Sequence, residues 1–233
     1  LFQRTPLKPD VSIVFPAYNE AENIAVVLEE FSTALADVNV EFIVVNDGSS
    51  DGTQIILDSM DMPNLQVVEH SKNKGYGAAL CSGFAAAKGQ WTFFTDADRQ
   101  FNPIDFFRLW NRRTDADLIL GVRSNRNAPP FRKLNAWLWG YYVRKIFSVQ
   151  VTDLNCAFKL LPTALLQQFS LHSKGAFINA EMLALFYEAQ CKWIEVPVEH
   201  HPRTKGIQTG AHPKVIVKAF HESVQFWVRR RVG

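Results

Sequence analysis

Five short apolar runs recur along the chain, and each stops at polar residues that lead into a helical or turn-rich stretch. They are Val11 to Phe15 (VSIVF), Glu41 to Asn46 (EFIVVN), Leu65 to Glu69, Trp91 to Thr95 and Leu118 to Val122. Short runs rich in β-branched and aromatic residues read as buried strands, and the helical stretches between them as crossovers. Strands alternating with helices favour a mostly parallel sheet of right-handed βαβ units with helices on both faces. The expected fold class is therefore α/β, as one large domain or two small ones. The 233 residues are 47% hydrophobic, enough to bury the core that such a domain needs.

Parallel sheets bind ligands beyond the carboxyl ends of their strands. Polar residues gather there: Tyr18 and Glu20 after the first run, Asp47 after the second, Asp96 and Asp98 after the fourth, Arg123 after the fifth. The most informative segment is Thr95-Asp96-Ala97-Asp98-Arg99-Gln100. Two carboxylates at i and i+2, with an amide nearby, suit Mg²⁺ or Mn²⁺ that also holds phosphate oxygens. The plainer alternative is a solvated acid pair. The first strand–helix turn, PAYNE, has no glycine, and Gly75-x-Gly77 follows the third run, so the dinucleotide fingerprint is missing, as is a P-loop. No Ser-His-Asp or Cys-His order stands out. Cys156 and the six histidines read as core or surface residues.

Local signals set further expectations. Asn19 caps a helix running to about Ala36, and Asp51 and Thr53 cap the next. An Ala-rich helix reaches about Lys88 with Gly89 as its C-cap, and Asn102-Pro103 starts another with proline at its first position. Residues 131 to 147 form a helix with Leu134, Trp137, Leu138 and Tyr141 on one face and Arg132, Lys133, Arg144 and Lys145 at its ends. That pattern suits a membrane interface, with core packing as the alternative. Glu195 to Val198 reads as a strand and 199 to 214 as a lid-like loop. Val217, Phe220, Val224 and Trp227 then keep helical spacing before Arg229-Arg230-Arg231. A net charge of +2 gives no bulk case for nucleic acid. Three cysteines without CxxC spacing suggest reduced thiols facing the cytosol. The opening LFQRTPLKPD lacks an apolar signal region, and no run of 18 apolar residues is present to span a bilayer.

VSIVFPAYNEAENI, EFIVVNDGSSDGT, NKGYGAAL and FFTDADRQ, in that order over about residues 11–123, resemble the inverting glycosyltransferases of family 2, which have the GT-A fold. Gln100, Arg123, the TDLNCAFKLL segment and the late PRTKG segment are most similar to the dolichyl- or polyprenyl-phosphate mannose or glucose synthases within it. The resemblance implies one catalytic domain over 1–233, with a nucleotide-sugar half at about 11–123 and an acceptor half at about 124–233. It implies transfer of a hexose, from GDP-mannose first and UDP-glucose second, to a polyprenyl or dolichyl phosphate. The cofactor would be Mg²⁺ or Mn²⁺. The place would be the cytoplasmic face of a membrane, with an anchoring segment or subunit as a further partner.

Position by position, the resemblance implies that Pro16, Tyr18 and Glu20 line the nucleotide pocket and Asp47 recognises the base. Asp96, Ala97 and Asp98 would hold ribose, metal and diphosphate, with Asp98 and Gln100 as metal ligands. Glu181 would lie near the sugar and Arg203 would meet the donor phosphates. Arg123 would face the acceptor phosphate, with Arg132, Lys133 and Lys159 as further cations. The usual Ser-Gly-Phe-Arg appears here as Cys156-Ala157-Phe158-Lys159, which loses the guanidinium fork. Gln208-Thr209 stand where Ser-Lys is usual. Two alternatives stay open. One is a family 2 enzyme acting on a hydroxyl, which needs a carboxylate base such as Asp153 or Glu181. The other is a silent nucleotide-sugar binding module.

Overall fold

A computed structural model describes residues 8–124, 130–203, 205 and 213–232. The first half runs β1 (Val11–Ala17), α1 (Ile24–Ala34), β2 (Val40–Asn46), α2 (Thr53–Ser59), β3 (Leu65–Glu69), α3 (Tyr76–Ala86) and β4 (Trp91–Thr95). A short 3₁₀ turn (Pro103–Asp105) leads to α4 (Phe106–Trp110), β5 (Leu118–Arg123) and α5 (Pro130–Phe147). The chain closes with β6 (Phe158–Pro162), α6 (Thr163–Leu166), α7 (Ile178–Glu188), β7 (Trp193–Val198) and α8 (Pro213–Val232).

The strands form one seven-stranded sheet in the order β3-β2-β1-β4-β6-β5-β7. Only β6 is antiparallel, wedged between β4 and β5, with Phe158 opposite Thr95 and Leu160 opposite Ile119. It therefore starts where β4 and β5 end, and its first residue sits at the edge that carries the acid pair. Residues of β1 and β2 are almost all buried because helices cover both faces. Helix α1 packs Ile24, Val27, Leu28 and Phe31, the i, i+3, i+4, i+7 stripe of an amphipathic helix. Phe93 links the layers by edge-to-face contacts with Phe106 at 5.2 Å and Phe158 at 4.6 Å.

Two local expectations need correction, and a third gains a direction. Helix α1 starts at Ile24 after Asn23, not at Asn19. Asn19 is in the left-handed region (φ 57°), and its side chain accepts from Ser50 N at 2.8 Å while its own N–H donates to Ser49 Oγ. It ties the first loop to the second. Gly89 is not a C-cap, because α3 ends at Ala86 with Ala87 already extended. Its Cβ would lie 2.6 Å from Ser12 N, so glycine serves a close approach to β1. In α8 the periodic residues Val217, Phe220, Val224 and Trp227 face outward, and Ala219, Ser223 and Phe226 pack inward. Asn102 behaves as expected, its side chain accepting from Ile104 N at 3.1 Å, and the Asp51 carboxylate accepts from Thr53 N at 3.0 Å.

Candidate functional site

The acid pair lies just beyond β4, where the chain must turn sharply away from the sheet. Arg99 takes φ 59° there, an unfavourable conformation for a side chain of that size, and its guanidinium is anchored on Glu30 at 2.6 Å. Backbone strain of this kind concentrates at functional sites. Asp98 Oδ1 accepts from Gln100 N at 3.2 Å. Gln100 spends its amide on the segment after β7: its Nε2 donates to His201 O at 2.8 Å, and His201 N donates back to Gln100 O at 2.8 Å. That reciprocal pair delivers Arg203, two residues on, to the acid loop.

Arg203 Nη2 donates to both oxygens of Glu20, at 2.7 and 2.8 Å, and its Nη1 is 3.6 Å from Asp98 Oδ2. Asn23 Nδ2 holds Glu20 Oε2 from the other side at 2.7 Å. Loops after β1, β4 and β7 thus meet at one guanidinium. Beside them, Arg123 donates from Nε and Nη2 to Asp153, each at 2.7 Å, a bidentate and mostly buried pair. Burial works against the Arg123 charge, but Asp153 more than offsets it, so the guanidinium is held firmly protonated.

Both carboxylates of the pair hold their protons unusually well. Burial is the main cause at Asp96 and the neighbouring Asp98 charge adds to it, with Tyr76 and Arg123 opposing. Burial also dominates at Asp98, against which Arg203 pulls. Two acids raised together form a site short of positive charge. Among the described residues no group of three or more His, Cys, Asp or Glu side chains gathers as a cage. The donor set therefore fits a hard cation that takes one or two carboxylates and completes its shell with ligand oxygens, the habit of Mg²⁺.

A pH prediction follows. A carboxylate whose pKa is raised on folding stabilises the fold below its ordinary value and loses that contribution as pH climbs through the folded value. For Asp98 and Asp96 the folded values are about 6 and about 7, so that contribution is lost between about pH 4 and about pH 7. A cation competes with those protons. The rise in Tm produced by Mn²⁺ should thus be larger at about pH 8 than at about pH 5; equal shifts at both would contradict the assignment.

Several residues singled out by the resemblance are tied into the fold. The Asp47 carboxylate is buried and accepts from Lys74 N, Gly75 N and His70 Nδ1, at 2.8, 2.8 and 2.6 Å, so it anchors the loop before α3. Glu181 is fully buried and accepts from His172 N and Ser173 N at 3.0 and 2.7 Å. Lys159 is fully buried, donating to the carbonyls of Leu154 and Cys156 and to Asn179 Oδ1, and burial lowers its pKa to about 8. It is a buried cation on β6. Pro16 and Ala97 form the backbone of the edge, and Tyr18 is exposed beside them. The side chains of Arg132 and Lys133 lie outside the described residues, as do Gln208 and Thr209.

Sequence reasoning missed Tyr76, whose hydroxyl interacts with Asp96 and Asn179, and Asn23. It also missed a buried Asp47–His70–Ser82 line, with His70 Nε2 at 2.8 Å from Ser82 Oγ. The only advance signal for Tyr76 was its place in NKGYGAAL.

Comparison with solved structures shows the fold. Glucosyl-3-phosphoglycerate synthase from Mycobacterium tuberculosis, solved with Mn²⁺, UDP and glucosyl-3-phosphoglycerate, superposes with a TM-score of 0.71 at 20% identity over 95% of this chain and 80% of that one. The arrangement is that of GT-A enzymes. Among curated proteins, the dodecaprenyl-phosphate galacturonate synthase of Rhizobium johnstonii is 28% identical over 207 residues, 85% of this chain and 61% of the relative. An undecaprenyl-phosphate 4-deoxy-4-formamido-L-arabinose transferase of Aeromonas hydrophila is 34% identical over 152 residues, 63% of this chain and 47% of the relative. The chain spans about half to under two thirds of the length of these relatives. The family model for glycosyl transferase family 2 matches residues 12–173, and the chain belongs to that family.

Proposed function

We propose that this chain transfers a glycosyl residue from a nucleotide sugar to a polyprenyl phosphate with the help of a divalent cation. The observation that carries this reading is the state of the carboxylates. A hydroxyl acceptor needs a free base near the sugar. Asp153 is held by Arg123 in a bidentate pair, and Glu181 is buried against backbone N–H groups. An acceptor phosphate needs no such base, because its oxygen is already ionised at neutral pH. It needs a cation, and Arg123 sits at that edge of the site. Relatives named for dodecaprenyl- and undecaprenyl-phosphate products favour the same acceptor.

Asp98 and Asp96 would hold the cation, which when bound supplies positive charge for the leaving diphosphate. Arg203 stands next to them to share that charge, and Glu20 and Asn23 keep its fork oriented. A phosphate oxygen attacks the anomeric carbon, the bond to the diphosphate breaks with its electron pair, and the centre inverts. No covalent enzyme intermediate is needed. Mannose, expected from the family resemblance, finds no echo in these relatives, whose names carry galacturonate and a formamidoarabinose, so the donor belongs to experiment.

The acceptor also rationalises an exposed apolar surface. No helix among the described residues is long and apolar enough to cross a membrane. Yet α5 exposes Trp137, Leu138 and Tyr141, and α8 exposes Ile216, Val217, Phe220 and Val224, with Val217 70% accessible. The two helices are joined by Tyr142 to Ser223 at 3.0 Å and Phe147 to Phe226 at 5.4 Å. Lys145 lies over the Tyr141 ring and Arg231 over the Trp227 ring, the composition of a face that rests on anionic lipid.

The test is product analysis with labelled UDP- and GDP-sugars, UDP-galacturonate and GDP-mannose among them, plus undecaprenyl phosphate and Mn²⁺. Label should pass into the lipid phase. Label found only in water-soluble glycan would favour the hydroxyl acceptor, and donor binding without turnover a silent module.

A further inference from the structure

We infer that Glu222 of α8 is a positioning residue for the donor site: through the backbone of residues 174–175 it seats Gly75, Tyr76 and Gly77, and so sets the Tyr76 hydroxyl against Asp96. This rests on the reading of Asp96 and Asp98 as the cation's carboxylates proposed above. Helix α8 packs Ala219, Ser223 and Phe226 inward, and Glu222 lies on the same stripe, 7% exposed. A carboxylate buried there is costly unless it is hydrogen-bonded. Its Oε1 accepts from Lys174 N at 3.1 Å and from Gly175 N at 2.9 Å. Glu181 of α7 takes the two N–H groups before them, those of His172 and Ser173. Two buried acids thus hold four consecutive backbone N–H groups, by charge-assisted bonds that are stronger than neutral ones.

The carbonyl groups of that segment lie against the start of α3. Lys174 O accepts from Gly77 N at 2.9 Å. A Cβ on Gly75 would come within 2.3 Å of Lys174 O, and one on Gly77 within 2.3 Å of Ser173 O and 2.8 Å of Gly175 O. Both positions need glycine because backbone occupies the space a side chain would take. Gly75 N is held in turn by Asp47 at 2.8 Å. Tyr76 is therefore bracketed between two anchored glycines, and its hydroxyl donates to Asp96. Partners of this kind orient the ligands of a metal and tune its affinity. Asp47 is the near anchor of Tyr76, and Glu222, from the last helix of the chain, is the far one.

The experiment titrates Mn²⁺ and follows the free ion by its EPR signal in wild type, Tyr76→Phe, Glu222→Ala, Glu222→Gln and the double variant Tyr76→Phe/Glu222→Ala. Tyr76→Phe and Glu222→Ala should each raise the Kd about tenfold, the lower end of what is lost with a partner that holds a metal's ligand. Glutamine keeps an oxygen for the two N–H groups, so Glu222→Gln should recover most of the affinity. The double variant should bind no more weakly than Tyr76→Phe, because both changes act on one line of contacts. Hydrogen exchange at Gly77 N–H should quicken in Glu222→Ala. If Glu222→Ala does not fold, Glu222→Asp, whose shorter side chain draws the oxygen back, takes its place in the same cycle. A wild-type Kd in the Glu222 variant, unchanged exchange at Gly77, or effects that simply add in the double variant overturn the inference and leave Glu222 a structural acid. Any of these results beside lipid-phase transfer by wild type leaves the proposed function standing. Absence of Mn²⁺ binding by wild type removes the cation reading, and this inference with it.

Discussion

Replacing Asp98 with alanine should lower kcat/KM by about 10²–10³ or more while the protein still folds. Loss of one preorganised electrostatic group costs about 3–4 kcal/mol of transition-state stabilisation. Asp98 lies 3.6 Å from Arg203, and it turns directly onto the loop that Gln100 ties down. The fold should tolerate the change. Both acids are raised by burial, and Asp98 charge adds to the strain on Asp96. Removing one should bring the remaining carboxylate back toward ordinary behaviour, so Tm without metal should hold or rise. A collapse of Tm would mean that Asp98 is a structural acid. Normal turnover with a normal Tm would mean that the cation, if used, binds elsewhere.

Arg203→Ala should rank next, with a loss of about 10²–10³ in kcat/KM. The guanidinium joins Glu20 and Asp98, which come from different loops, so its removal costs the site charge and orientation together. It also leaves the mostly buried Glu20 carboxylate with Asn23 as its side-chain partner among the described residues, and stability should fall by about 1–3 kcal/mol. Arg203→Lys separates the two effects. Lysine keeps a point charge without the planar fork, so it should recover part of kcat while KM for the donor stays high. Equal recovery of both would reduce the arginine to its charge. Thermal melts and steady-state kinetics on the three proteins read out all of this.

The parallel core was legible because its strands are short, apolar and closed by polar residues, a pattern with few competing folds. Strand β6 was not read as one. FKLLP is five residues with a lysine at its second position, a residue type rarely buried in a strand, and here it is fully buried. Asp47 is tied in by contacts that are equally hidden from the sequence. An aspartate at a strand end resembles a site residue, but here His70 and two backbone N–H groups occupy its oxygens. Their contact joins positions 23 to 28 residues apart, which no local pattern encodes. Asp98, Glu20 and Arg203 were singled out by resemblance, and the structure brings them together, with Glu20 and Arg203 183 residues apart in the chain. Helical spacing in α8 was also right, yet its direction was not readable, because periodicity marks a face without saying what covers it.

Anomalous scattering from manganese in a crystal soaked with Mn²⁺ and a nucleoside diphosphate tests the central claim most directly. One peak should lie against the carboxylates of Asp96 and Asp98, with the diphosphate bridging it toward Arg203. A diphosphate and manganese lodged away from the end of β4, leaving both acids without a metal, would contradict the account.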